Sequence, residues 1–600
     1  MRRFPLLTVL ILIASGILGY GATPWQPPTL AEVDAALTGL GFDELVETSY
    51  RLYVLRSPQT VTSMGLAAEF GIRNDALDDY SEAYQSETFA IESLILERLR
   101  AFDRETLTEA QRATYDICLW YWDDLVRGQA FASFHYPVHF MTVWSLPGFL
   151  EFTLTEDHPF ASPEDVADYV MRLKRVGEQF DQIIALLDRD ARRGIVVPRL
   201  PLQWAVGGIR AMATTPSLRH PLYEPLEETA GNVLGLSAED RDAYLGQATL
   251  AIEQVVKPAY DRLLDAMYAL MSQASSEISV GQFAEGEEAY AHFLRHYTQT
   301  DLTPAEIHQL GRREVARIQT ATRQAAEALG FEDATSMTAI FMQAAAAGGA
   351  VAGEGAVEEA QRLIEKAERV VLETGALPRL PRADVIAIGV DAGGYYSAPP
   401  LDGSRPGAYY VTTGGTGDLY RMPTIAYHET VPGHHVQIAF AQEIDLPLLR
   451  QNVVFTGFSE GWALYAERLM SELGGYADDP FGNLGRLQYE LLRAVRMVVD
   501  TGIHDLGWSF DEAVSYIMEN TGDPQGTAEY RALRYGLFPG QATAYMIGLL
   551  EILELREMAQ EALGEVFELA EFHDVILGYG NVPLLFLREL IEDWIAVKLG

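Results

Sequence analysis

One cysteine in 600 residues is the sharpest shortage in this sequence. Cys118 lies in the apolar, aromatic stretch Tyr115-Asp116-Ile117-Cys118-Leu119-Trp120 and reads as a buried structural thiol. A single thiol leaves no partner for an intrachain disulfide and excludes a thiolate cage, so any metal site must use histidine and carboxylate. Positive charge is the second shortage: 44 basic against 85 acidic side chains give a net charge of −41. Such a field repels nucleic-acid phosphates and anionic lipid headgroups, so no nucleic-acid partner is expected, and the charge itself reads as a solubility or high-salt habit. Beyond the N-terminus no apolar run is long enough to suggest a membrane span, and no repeat of solenoid period is present.

What is abundant is apolar surface to bury: 48% hydrophobic and 10% aromatic residues imply a folded chain with a large core. Met1-Arg2-Arg3-Phe4-Pro5, an apolar run from Leu6 to about Leu18, and Gly19-Tyr20-Gly21-Ala22-Thr23 have the pattern of an export signal. Residues 1–22 are therefore expected to be a signal peptide or N-terminal anchor, cleavage being favoured because the apolar core is short for a span. No cysteine follows to carry a lipid. The expected location is extracytoplasmic, periplasmic or secreted, with membrane contact only through that anchor.

From about Pro28 to Leu270 the periodicity is helical. Val166, Val170, Leu173, Val176, Phe180, Ile183 and Leu187 mark one face of a helix that Ser162 caps, with Pro163 in its first turn. Phe131 to Phe152, which holds His135 and His139, lacks that period and reads as a packed loop. Ser272–Glu277 and Ala344–Ala350 read as connections. Around Ala392–Pro400 and Gly407–Thr413, β-formers between turn residues predict a small sheet, and from Pro423 helical patterns run nearly to Gly600. The expected division is a mainly helical N-terminal lobe, 23–375, and a catalytic lobe, 376–600.

Histidine is locally dense. Three of the 12 fall in Tyr427-His428-Glu429-Thr430-Val431-Pro432-Gly433-His434-His435, and Phe458-Ser459-Glu460-Gly461-Trp462 follows. Imidazoles and a carboxylate are the donors of a catalytic zinc ion, with a neighbouring Glu as base. The common zinc-peptidase helix sets two histidines four residues apart on one face, whereas His434 lies six and His435 seven positions after His428. On a regular helix the sixth position points about 120° away and the seventh lies roughly 10 Å along the axis. Pro432 removes the donor to the His428 carbonyl and Gly433 accepts unusual dihedrals, so a bulge or kink is expected to bring His434 to the second-ligand place, His435 being the alternative. Glu460 is the expected third ligand, on a helix whose spacing is marked by Phe458, Trp462, Tyr465 and Leu469 and whose stop is Gly474-Gly475. Glu467, seven residues on, can orient a ligand histidine.

With Leu302-Thr303-Pro304-Ala305-Glu306-Ile307-His308, Asp402-Gly403-Ser404-Arg405-Pro406-Gly407, Asp500-Thr501-Gly502-Ile503-His504, Pro539-Gly540-Gln541-Ala542-Thr543-Ala544-Tyr545, Phe572-His573-Asp574 and Gly580-Asn581-Val582-Pro583-Leu584, these motifs make nearly the whole chain resemble one bacterial family. It is the family filed as domain of unknown function 885, candidate zinc peptidases. That family is distantly similar to the helical zinc peptidases that include angiotensin-converting enzyme and the oligopeptidases. The resemblance implies a mainly α, zincin-like fold with a deep cleft and a small β-sheet near the active site. It also implies a ligand Glu some two dozen residues after the second histidine, as Glu460 follows His434, and an oxyanion-binding tyrosine, carried to Tyr545. The departure from the wider group is the enlarged spacing between the histidines.

The expected activity is zinc-dependent hydrolysis of peptide bonds in small peptides, with Glu429 as general base toward an activated water and Tyr545 on the oxyanion. Arg531 and Arg534 are candidates for gripping a substrate carboxylate. Tyr409 and Tyr410 lie on a strand that is a candidate to pair with extended substrate, and His504 and His573 are candidates to reach the cleft. The rivals are a zinc amidase acting on non-ribosomal or cell-wall peptides, and an extracytoplasmic binding protein without turnover. The sequence leaves the oligomeric state open.

Overall fold

The computed structural model describes residues 24–141, 144–331, 333–377, 379–390 and 393–600; the export-signal expectation for 1–22 lies outside them. Helices dominate, and several of them begin at a side-chain cap. In Pro163–Arg192 the Ser162 hydroxyl accepts the Asp165 N–H at 3.2 Å while the Asp165 carboxylate accepts the Ser162 N–H at 2.8 Å. The apolar face predicted for this helix, from Val166 through Leu187, is buried. One apolar core cluster draws residues from Val33 to Ile595.

Two connections differ from expectation. The interlude 131–152 contains a 3₁₀ segment, Gln129–Phe134, and a short helix, Leu146–Phe152, capped by Ser145 with Pro147 in its first turn. Elements of that length are too short to show a period. In the alanine run, Ala344–Gly348 forms the end of helix Met337–Gly348, in keeping with alanine's helix propensity, and Gly349 breaks it at φ +83°. Ser272–Glu277 is a connection, as expected.

Among the described residues five short strands form two sheets: β1 (Ala350–Ala352), β2 (Val385–Val390), β3 (Tyr395–Ser397), β4 (Gly407–Thr412) and β5 (Thr416–Asp418). β1 pairs antiparallel with β5, while β4 lies between parallel β2 and antiparallel β3. Both backbone edges of β4 are thus taken, which leaves no free edge there for strand addition by a substrate. Across β3 and β4, Tyr396 stands opposite Tyr409 and Tyr395 opposite Tyr410, so each pair shares a face.

The site is carried by helices Met422–Glu429, His434–Glu443, Thr456–Glu472, Pro480–His504 and Ala544–Leu563. In Pro480–His504 every residue from Glu490 to His504 is buried, as befits a helix surrounded by the core. Thr456–Glu472 packs backbone to backbone on Ala544–Leu563: a Cβ on Gly461 would lie 2.5 Å from Gly548 Cα, and one on Gly548 1.9 Å from the Gly457 carbonyl oxygen. That close approach fixes the helix that carries Glu460.

Candidate metal centre

The chain does not bulge between the histidines; the helix stops and restarts. Met422–Glu429 ends, Thr430 to Gly433 turn, and a second helix begins at His434. Pro432 follows a cis peptide bond and has no N–H to continue the ladder. Gly433 donates to the Tyr427 carbonyl at 3.1 Å, and a Cβ there would lie 1.9 Å from the His428 oxygen, so a side chain has no room. The Trp462 indole N–H holds the turn by donating to the Pro432 carbonyl at 2.8 Å. The restart brings the His434 ring to 4.8 Å from that of His428, centroid to centroid.

His428, His434 and Glu460 each offer one donor atom, all within 4.8 Å of one another, in an arrangement able to hold a metal ion. His428 Nε2 lies 3.3 Å and His434 Nε2 3.4 Å from Glu460 Oε2. The far sides of both rings are also engaged. His428 Nδ1 contacts Glu467 Oε1 at 2.8 Å, off the line of a good hydrogen bond, and Arg493 Nη2 lies 3.3 Å from the same oxygen. His434 Nδ1 faces Ser459 Oγ at 3.4 Å, and that hydroxyl donates to Gln437 Oε1 at 3.1 Å. Both pairings favour a proton on Nδ1 and leave each Nε2 as a lone-pair donor.

Burial opposes charge on His428, yet Glu460 and Glu467 outweigh it and raise its pKa to about 10. Burial also works against the Glu460 carboxylate, but the His428 and His434 rings beside it hold it well below the usual range. Glu429 goes the other way: burial raises it and the Glu460 charge adds, against His428, His434 and Arg493.

Tyr545 is buried in the first turn of its helix. Its hydroxyl accepts from Gln541 Nε2 at 3.3 Å and Arg534 Nη2 at 3.4 Å, and the Arg496 guanidinium lies 4.0 Å from its ring centroid. Tyr409 is buried and its hydroxyl is raised by burial and by the Glu429 charge, whereas Tyr410 stacks on Tyr395 at 4.6 Å and donates to Glu156 at 3.3 Å. Arg531 is paired with Asp523 at 2.9 Å.

Three other candidate histidines, His435, His504 and His573, are committed elsewhere. His435 bonds to the Tyr396 hydroxyl at 2.9 Å and the Ala383 carbonyl at 3.0 Å, His504 accepts from the Val280 N–H at 3.1 Å and donates to Tyr535 at 3.0 Å, and His573 bridges Tyr465 at 2.8 Å and Ala376 at 2.7 Å. Burial pushes all three down to about 4. Sequence reasoning passed over Arg493 and Arg496, whose signal was two cations in the otherwise apolar stretch Leu491–Val499. A cavity of about 380 Å³, lined by Trp144, His135, His292 and His296 among others, lies away from the triad.

Residues 58–591 match the family described as "Bacterial protein of unknown function (DUF885)". No curated protein matches the chain. Among solved structures, a candidate lipoprotein from Colwellia psychrerythraea superposes with a TM-score of 0.84 at 27% identity, covering 92% of this chain and 100% of its own. A candidate lipoprotein of unknown function from Shewanella oneidensis gives a TM-score of 0.69 at 19% identity with the same coverage, a likeness of fold.

Proposed function

For a chain that belongs to the DUF885 family, whose description assigns no activity, we propose zinc-dependent hydrolysis of peptide bonds in small peptides, with His428, His434 and Glu460 holding the ion. The observation that carries this reading is the convergence of two imidazole nitrogens on a buried carboxylate oxygen, Glu460 Oε2, that has no in-line hydrogen-bond partner. Two histidines and one glutamate are a donor set of catalytic zinc. Bound there, zinc would supply a Lewis acid that acidifies water and polarises a carbonyl.

Glu429, at the end of the His428 helix, takes the proton of the attacking water and returns it to the leaving amine. Tyr545 accepts hydrogen bonds from Arg534 and Gln541, which leaves its own proton to donate to the tetrahedral oxyanion. Glu467 and Ser459 orient the two rings. The proposal includes a small cleft-side sheet, with the Tyr409 side chain toward Glu429, and an extracytoplasmic location. The location is supported by the signal-like N-terminal sequence and by the Colwellia relative's description as a candidate lipoprotein. Among the described residues no helix is long and apolar enough to cross a membrane.

A second reading is an extracytoplasmic metal-binding protein without turnover, supported by the donor cluster and by that same relative's description as a candidate lipoprotein. A zinc amidase acting on non-ribosomal or cell-wall peptides would share the metal site. Metal content measured alongside turnover on peptides, isolated amides and esters, before and after chelation, separates the three. Peptide hydrolysis that stops on chelation and returns with zinc is expected. Zinc binding with no turnover supports the second reading, and turnover confined to non-peptide amides supports the third.

A further inference from the structure

Helix Pro480–His504 buries two cations side by side in the chain direction, Arg493 and Arg496, at 6% and 5% exposure. Arg493 has Glu467 as partner. Arg496 has no ion pair among the described residues, and its Nε and Nη1 are buried without hydrogen-bond partners; the Tyr545 ring lies against it at 4.0 Å. Arg534 reaches the same tyrosine, its Nη2 donating to Gln541 Oε1 at 3.2 Å and to Tyr545 at 3.4 Å, and its Nε is also unpartnered. It too forms no ion pair among the described residues. Desolvation without a counter-charge is strongly unfavourable, and the Arg496 pKa is lowered by burial and by Arg493 and Arg534.

The charge balance points the same way. A divalent ion on His428, His434 and Glu460 would draw on the Glu460 charge that acts on Arg534, and so leave both arginines wanting an anion. A guanidinium presents two parallel N–H groups that match a carboxylate. We propose that Arg496 and Arg534 form the binding site for the free C-terminal carboxylate of a short peptide, beside the hydrolytic centre. The identity of the molecule bearing that carboxylate rests on the peptidase reading; the anion site rests on the arginines. The site confines cleavage to bonds near the C-terminus. Arg531, the other arginine singled out in the sequence, is already taken by Asp523.

The test is calorimetric titration of the full chain, zinc-supplemented and carrying Glu429→Gln so that turnover is slow against the titration. The probes are N-acetylglycylphenylalanine, its C-terminal amide, and inorganic phosphate. The acid should bind roughly tenfold or more tighter than the amide, as expected for a charge-assisted bidentate contact. Arg496→Met and Arg534→Met should bring that ratio near one, with Arg496→Lys retaining part of it. Without ligand, Arg496→Met should melt no lower than its parent, because it removes an uncompensated charge. The proposal is overturned by equal binding of acid and amide to the parent, by phosphate binding tighter than the acid, by an unchanged ratio in both methionine variants, or by their melting well below the parent. The comparison of acid and amide on the parent decides the matter even if a variant does not fold. Arginine-dependent acid binding in a protein that hydrolyses no peptide sinks the peptidase reading alone. Wild-type cleavage of amidated peptides as fast as free acids sinks the carboxylate site alone.

Discussion

Glu429 and Glu460 face the same pair of histidines yet shift in opposite directions: burial is the largest influence on each, but the two imidazoles against Glu460 outweigh it there, while at Glu429 they do not and the Glu460 charge adds to burial. That asymmetry suits one carboxylate to binding a cation and the other to moving a proton. Glu429→Gln is expected to retain zinc and to lower kcat by about 10²- to 10⁴-fold, the usual worth of a general base; full turnover by this variant removes Glu429 from the mechanism. Glu467→Gln removes the charge behind His428 and should weaken zinc binding by roughly 10- to 100-fold in competition with a chelating dye. An unchanged affinity would leave Glu467 with only its ion pair to Arg493.

At the scale of elements, the site depends on two places where backbone meets backbone. In the turn between the histidine helices, Gly433 sits against the His428 carbonyl, the oxygen of a residue that offers a donor to the metal site. Gly433→Ala should push the two helices apart, so zinc affinity should fall further than stability does; retention of wild-type affinity would refute this. Gly548 is packed against Gly457 and Gly461 on the Glu460 helix. Gly548→Ala should cost about 1–3 kcal/mol or more of stability by overpacking, read from urea unfolding of the metal-free chain. A loss within about 0.5 kcal/mol would show that the crossing relaxes.

Across the whole molecule, Asp500 ties distant parts together. Its carboxylate is fully buried, accepts the Tyr290 hydroxyl at 2.7 Å and the Gly540 N–H at 3.0 Å, and so joins helix Gly286–Thr298 to the turn that leads into Tyr545. Burial raises its pKa from 3.8 to about 7, against those two bonds. The folded chain therefore holds a proton that the unfolded chain has released between these values. Stability falls as pH rises through that window, by on the order of a few kcal/mol, and the full cost of the buried charge is present above it. Asp500→Asn keeps an acceptor for both donors and should flatten the decline in melting temperature between pH 5 and about pH 8, measured with chelator present. Equal slopes in the two proteins would show that Asp500 does not titrate there. Other buried acids, such as Asp78, raised by burial to about 6, contribute in the same direction to both proteins.

Legibility followed length and local chemistry. The capped helix Pro163–Arg192 was readable because period and cap agree over many turns, and the Glu460 helix because its apolar spacing runs on to a Gly-Gly stop. Helix Leu146–Phe152 was not, being shorter than the window in which a period appears, nor was strand β2, an unbroken apolar run without alternation. The sequence by itself determined the donor types, the helical class and a break at Pro432-Gly433, since these follow from side-chain chemistry and backbone sterics within a few residues. Tertiary structure alone decided that His434 turns toward Glu460 while His435 is held by Tyr396 and Ala383, and that Arg496 is left without a counter-ion. Those outcomes depend on which elements pack together, and no local pattern encodes the partner that lies across the core.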